Sequence, residues 1–228
     1  MYNDETPDGH VSFYKAHSKG TMMFDFASGF WLIHSVPKFP PIFGYTYASN
    51  GHRYGQHLFC VSFNYAELQD IAYQIYYNGP YIYSKAAPAK MMKDIPILAD
   101  VLAYKHVTTA GKREVSLTSS GYNKLTHFAK TGKWCKDLYC DYVAPVLESS
   151  LAVETWQHGS TNDLNYCCGS GLAVNNVAQV SLPTNITFSN YQDHCKWAVS
   201  LNSTEPYVCL GDINRQNGFK TWQVEGIH

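Results

Sequence analysis

A chain of 228 residues with 15% aromatic and 15% charged residues is long enough to bury a sizeable core and too apolar to be disordered. Its formal charge of −1 with histidines neutral argues against a general nucleic-acid binder at neutral pH. Protonating all ten histidines would carry it from −1 to about +9, so attraction to a polyanion is expected in acid. No apolar run reaches about 18 residues, which predicts no membrane span, and the polar start Met1-Tyr2-Asn3-Asp4-Glu5 does not read as a signal peptide.

In chain order, Thr21–Phe26 and Phe30–Val36 read as two strands of a hairpin joined by Ala27-Ser28-Gly29 and ended by Pro37, Pro40 and Pro41. His34 in its second strand reads as structural. Residues 42–57 read as a loop and Leu58–Phe63 as a strand. Asn64 and Glu67 then offer a helix cap, Leu68, Ile71, Ala72 and Ile75 an apolar stripe, and Asn78-Gly79-Pro80 a stop. Pro80–Tyr83 reads as a short strand, and residues 84–113 carry no legible pattern. Val115–Thr118 reads as a strand, 121–131 as a helix with Leu125, Phe128 and Ala129 on one face, and Asp137-Leu138 as the start of a second helix disturbed by Pro145. Strands are predicted at Leu151–Gln157 and Val174–Leu182, with a polar loop between them. Residues 183–193 read as a loop, Trp197–Leu201 and Tyr207–Leu210 as strands, and the tail after Gly218 shows no partner.

The seven cysteines include no C-x-x-C pair, which predicts no zinc site. Asn185-Ile186-Thr187 and Asn202-Ser203-Thr204 fit the glycosylation pattern, and with the cysteines they lean toward a secretory or lysosomal route.

One short motif occurs twice, as His17-Ser18-Lys19-Gly20 and as Asp193-His194-Cys195-Lys196-Trp197. In extended backbone, residues i and i+2 share a face, so each copy offers an imidazole beside an ammonium group. Brought together, two histidines and two lysines would surround one anion. Phosphodiester cleavage without a metal needs such a set: one imidazole to attack phosphorus, one to protonate the leaving oxygen, and lysines to hold the non-bridging oxygens. Each copy leads into strand, turn and strand. This pattern suggests two halves of a pseudo-symmetric α/β domain that meet at one site, with no linker between them, so 1–228 reads as a single domain.

Longer blocks carry a resemblance: Tyr2-Asn3-Asp4, Gly29–Pro40, Tyr54-Gly55-Gln56, Cys60–Phe63, Phe128-Ala129-Lys130, Asp137-Leu138-Tyr139 and Gly211-Asp212-Ile213-Asn214-Arg215. With the two His-x-Lys motifs, and in this order, they resemble the deoxyribonuclease II family of acid endonucleases, related to the phospholipase D superfamily. Ala198 and Ile213 make the chain more similar to invertebrate, nematode-like members. The resemblance implies a mixed α/β, phospholipase D-like sandwich. It also implies cleavage of double-stranded or single-stranded DNA at acid pH to 3′-phosphate and 5′-hydroxyl ends through a phosphohistidine, with neither metal nor other cofactor. His17, Lys19, His194 and Lys196 would form the site, with Asp25 and Asn214 as weaker candidates for orienting the imidazoles.

The chain also departs from the family. Only Met1 precedes the Tyr2-Asn3-Asp4 block, where relatives carry a further strand-bearing segment, and the sequence diverges after Arg215 from their Gly- and Cys-rich continuation. The family's pattern implies partners in those segments for Cys60 and Cys209. A shortened form is therefore expected to re-pair its cysteines or to form a homodimer. Cys195 stands where the family usually has Ser and reads as a tolerated change. The missing ends also raise an alternative, a catalytically weak secreted relative that binds DNA or a host protein.

Overall fold

The computed structural model describes residues 1–158, 162–169, 171–217 and 224–227. Its first sheet grows from the predicted hairpin. Strand β1 (Gly20–Phe24) turns at Asp25–Ala27 into β2 (Ser28–His34), which pairs on its other edge with β3 (Leu58–Asn64), all antiparallel. Along β2 the buried side chains alternate, Trp31 and Ile33 lying inside, as a strand with one packed face requires. They pack on Ile71 and Ile75 of helix α1 (Leu68–Asn78), whose apolar stripe is the one expected and which ends at Gly79 with φ of 61°. Asn64 does not cap it; a 3₁₀ turn at Tyr65–Glu67 intervenes and the Asn64 side chain makes no capping bond. Helices α2 (Ala89–Asp94) and α3 (Pro96–Leu102) fill the unreadable stretch and bury Met91, Ile95 and Leu98 against Leu68 and Ala72.

The rest of the chain forms a larger sheet. Strands β4 (Lys112–Thr118) and β5 (Lys124–Lys130) make a hairpin. A π-helical turn at Tyr139–Val143 runs into the short helix α4 (Ala144–Leu147), with Pro145 in its first turn, where a missing N–H is tolerated. Then come β6 (Leu151–Glu154), β7 (Cys167–Gly169), β8 (Leu172–Asn176), the separate ribbon of β9 (Gln179–Ser181) with β10 (Thr187–Ser189), β11 (Trp197–Ser200), β12 (Val208–Gly211) and β13 (Val224–Ile227). The eight-stranded sheet has the order β4-β5-β13-β12-β11-β6-β8-β7, antiparallel except for the parallel β6–β8 pair. A core of Phe128, Tyr142, Leu147, Val153 and Ala198 lies against it. The disulfide Cys140–Cys167 ties the π-helical turn to β7, while Cys60 and Cys209 are free thiols. The two sheets touch where Phe63 bridges Ser119.

The architecture is thus mixed α/β, with several sheets and few helices, and it corrects four expectations. Residues 124–130 form a strand, not part of a helix: β5 lies between β4 and β13 and buries Leu125, His127, Phe128, Ala129 and Lys130 on both faces, so its apolar spacing mimics a helical stripe. The single strand expected at 174–182 is split into β8 and β9, which belong to different sheets. The loops expected at 158–173 and 183–193 contain β7 and β10. Of the tail, residues 224–227 pair with both β5 and β12; residues 218–223 and 228 lie outside the described residues.

Candidate active site

The N-terminal block is pinned first. Tyr2 exchanges both backbone hydrogen bonds with Gly20 at 2.9 Å, and its hydroxyl accepts from Trp31 Nε1 at 2.9 Å. A Cβ on Gly20 would lie 2.3 Å from the Tyr2 hydroxyl, so this close approach needs glycine. Asn3 Nδ2 donates to the Val36 and Phe39 carbonyls. Asp4 is thereby set beside the first His-x-Lys. Its Oδ1 pairs with Lys19 Nζ, and its Oδ2 lies 3.5 Å from His17 Nε2. From the far end of the chain, the Asp212 backbone carbonyl accepts a hydrogen bond from His17 Nδ1, and Asp212 Oδ2 accepts from the Lys19 amide at 3.1 Å. A carbonyl can only accept, so neutral His17 carries its proton on Nδ1 and its lone pair on Nε2.

The second motif is docked by Gly55. Gly55 N donates to Gln192 O at 2.8 Å and His194 N donates to Gly55 O at 2.9 Å; a Cβ on Gly55 would lie 2.7 Å from Asp193 Oδ1. Next to it, Gln56 Oε1 accepts from Ser35 Oγ at 2.5 Å and lies 3.2 Å from His194 Nδ1. Asp193 stays out of the chemistry by accepting from Cys195 N and Trp197 Nε1. Trp156 meets the His194 ring edge-on at 4.3 Å and 75°. Its backbone is left-handed, with φ of 53°, and its amide donates to the buried Glu154 carboxyl at 2.6 Å.

His17, Lys19 and His194 therefore line one cleft of about 290 Å³, together with Asp4, Gln56 and Trp156. Lys196 does not line it. It is buried, and its Nζ donates to the His194 carbonyl at 2.6 Å, 5.2 Å from the Trp156 ring centre. Its charge still acts on the site: burial, then Lys196 and Lys19, hold the His194 imidazole far below its ordinary range. Burial and Lys19 bring His17 down to about 3. Burial and the Lys19 charge lower Lys196 itself to about 7. Burial would raise the Asp4 carboxyl, but the Lys19 charge and its hydrogen bond outweigh it and hold it at about 2. Burial and the two lysines thus keep both imidazoles neutral, and an anion bound in the cleft would raise them again.

Asp25 is not near the imidazoles. It is exposed, and its Oδ1 accepts from the Ala27 and Ser28 amides in the β1–β2 turn. Asn214 is buried outside the cleft lining, and its Oδ1 has no hydrogen-bond partner among the described residues. Next to it, Arg215 Nε donates to Asp137 at 2.7 Å, which ties this block to the larger sheet's flank. His34 is structural, its Nδ1 accepting from the Val36 amide. Cys195 is half-buried, and burial followed by its hydrogen bond to Asp193 pushes the thiol up, away from thiolate chemistry. Asn185 and Asn202 are exposed in turns. Among the described residues no group of three or more His, Cys, Asp or Glu side chains is arranged to hold a metal. Asp4, Gln56 and Trp156 are site residues that motif spacing alone does not reveal; the first two lie in the blocks that carry the family resemblance.

A family model for deoxyribonuclease II matches residues 1–225. Plancitoxin-1 of Acanthaster planci is 41% identical over 221 residues, covering 95% of this chain and 62% of that protein. Cell death-related nuclease 6 of Caenorhabditis elegans is 39% identical over 228 residues, covering 95% and 60%. Deoxyribonuclease-2 of Caenorhabditis elegans is 40% identical over 218 residues, covering 94% and 57%. The chain spans about three fifths of the length of these relatives. With two His-x-Lys motifs from its opposite ends joined at one cleft, and with this match along nearly its whole length, the chain belongs to the deoxyribonuclease II family.

Proposed function

We propose that this chain cleaves DNA phosphodiesters in acid, without a metal, by way of a phosphohistidine. The observation that carries the reading is the meeting of His17, Lys19 and His194 in one cleft, with Asp212 fixing the His17 tautomer. His17 Nε2 attacks phosphorus and forms an N–P bond while the bond to the 5′ oxygen breaks. Protonated His194 gives its proton to that oxygen, releasing a 5′-hydroxyl. Neutral His194 then takes a proton from water as the water attacks phosphorus, and the N–P bond breaks to leave a 3′-phosphate and free His17. Lys19, steadied by Asp4, holds a non-bridging oxygen, and buried Lys196 adds positive field from behind, supplying the charge a metal would otherwise bring.

Acid favours this scheme because one imidazole must be protonated and a bound phosphodiester lifts both from the low values set by burial and the lysines. A lysosomal or secreted location fits that requirement, and exposed Asn185 and Asn202 fit a glycosylated protein. We read the two motifs, each feeding an antiparallel hairpin, as the two halves of a phospholipase D-like arrangement. The whole chain then acts as a single unit, since both ends are needed to build the cleft.

The test is plasmid nicking at about pH 5 in EDTA, wild type beside His194→Ala. Cleavage that vanishes in the variant is expected. A folded wild type that retains the plasmid without nicking it would sink the enzyme reading and leave a DNA-binding relative.

A further inference from the structure

A second and larger cleft, of about 530 Å³, takes no part in the mechanism above and shares no lining residue with the first, but the chain that rims it runs from Lys15 to His17 of the catalytic cleft. Its rim carries two neighbouring aromatic rings turned outward, Phe13 at 66% and Tyr14 at 97% exposure. Single exposed aromatics are ordinary, but here two consecutive ones line the same cleft as Lys15, His106 and Lys133, and among the described residues lining the cleft there is no carboxylate. The display is anchored, since Ser12 N donates to the Asp4 carbonyl at 2.8 Å and Ala16 N to the Gly79 carbonyl at 3.3 Å. The aromatic segment is therefore strung between Asp4 and His17, both in the catalytic cleft. The opposite wall is also tied: Thr131 Oγ1 donates to the Thr109 carbonyl at 2.8 Å and accepts from the Gly111 amide at 3.0 Å.

We propose that this cleft is a subsite for an unpaired stretch of nucleic acid, with bases stacking on Phe13 and Tyr14 and phosphates passing Lys15, Lys133 and His106. Exposed rings beside a carboxylate-free basic groove are what sequence-tolerant single-strand binding requires. The reading rests on the proposed phosphodiesterase only for its direction, because the segment leads straight to His17. The subsite therefore favours DNA that is single-stranded or frayed beside the scissile phosphate.

The test uses a fluorescent oligothymidylate of about a dozen nucleotides, a length within the reach of such sites, and reads anisotropy at about pH 5. The His194→Ala background keeps the strand from being consumed. Adding Phe13→Ala and Tyr14→Ala is expected to weaken binding by about tenfold or more. In an otherwise unchanged chain the same pair should leave hydrolysis of the small ester bis(p-nitrophenyl) phosphate unaltered. An oligothymidylate affinity unchanged by the double substitution overturns the subsite, as does an equal loss on the small ester. A chain that binds the strand through these rings but cleaves nothing keeps the subsite and refutes the enzyme reading. A chain that nicks plasmid but binds the strand equally well without the rings does the reverse.

Discussion

Replacing His127 by Gln isolates the effect of one buried imidazole on stability in acid. His127 lies in β5, fully buried, with its ring 4.8 Å from that of Trp31, and its Nδ1 lies 2.8 Å from Gln74 Nε2. Burial and the Arg113 charge hold it at about 3, against 6.5 for an ordinary imidazole. Below 6.5 the unfolded chain binds a proton that the folded chain refuses, so stability falls as the pH drops toward 3. Between about pH 7.5 and about pH 5 this residue removes about 2 kcal/mol, at about 1.36 kcal/mol per pH unit below the unfolded value. Urea unfolding of wild type and His127→Gln at both pH values gives a double difference. The packing lost against Trp31 is present at both and cancels. Wild type should lose about 2 kcal/mol more than the variant on acidification; equal losses would refute the argument that this histidine stays neutral in the folded core.

Asp4→Asn leaves the buried Lys19 ammonium without its carboxylate and should destabilise the fold by about 3 to 5 kcal/mol in urea unfolding. The wild-type carboxylate contributes above its unfolded value of 3.8 and loses that contribution only as pH falls through about 2, so the loss in the variant should be as large at about pH 5 as at neutrality. Glu154 carries the opposite sign. Burial raises its carboxyl from 4.5 to about 8, so wild type loses stability as pH rises through that window. Glu154→Gln, which keeps an acceptor for Trp156 N, should gain on wild type at about pH 7.5 and match it at about pH 4.5, as chemical unfolding at the two pH values would show. Removing the Cys140–Cys167 disulfide, which spans 27 positions, by paired Ser substitution should lower stability by about 3.5 kcal/mol through the entropy of the unfolded chain, read as a lower urea midpoint.

How far the chain could be read depends on how many faces each element buries. The β1–β2 hairpin and α1 pack on one side only, so Trp31 and Ile33 alternate and Leu68, Ile71, Ala72 and Ile75 recur at helical spacing, and both patterns are visible in the residues. Strand β5 is covered on both faces, and its alternation is lost. Strand β13 is defined by partners about 100 residues earlier in β5 and at β12, which no local pattern encodes. The site shows the same division. His17, Lys19 and His194 follow from a spacing that repeats. Asp4, Gln56 and Trp156 matter through contacts with other segments, and their own neighbours in sequence say nothing of it. Lys196 has the expected spacing, yet its ammonium turns back onto the His194 carbonyl, a choice of rotamer that sequence does not carry. Asp25 was an attractive carboxylate by type alone, and the turn beside it takes up its oxygen.

The hydrogen bond from His17 to the Asp212 carbonyl spans 195 positions. During synthesis the two arrive far apart in time: His17 has long left the ribosome before Asp212 is made. Until then the imidazole lacks the acceptor that selects its tautomer, and the Lys19 amide lacks its carboxylate partner. The reactive arrangement therefore cannot form until Asp212 has been made. A nascent product that stops short of the second motif carries the first without its counterpart, so a cell making this protein does not meet the assembled site before Asp212 is in place.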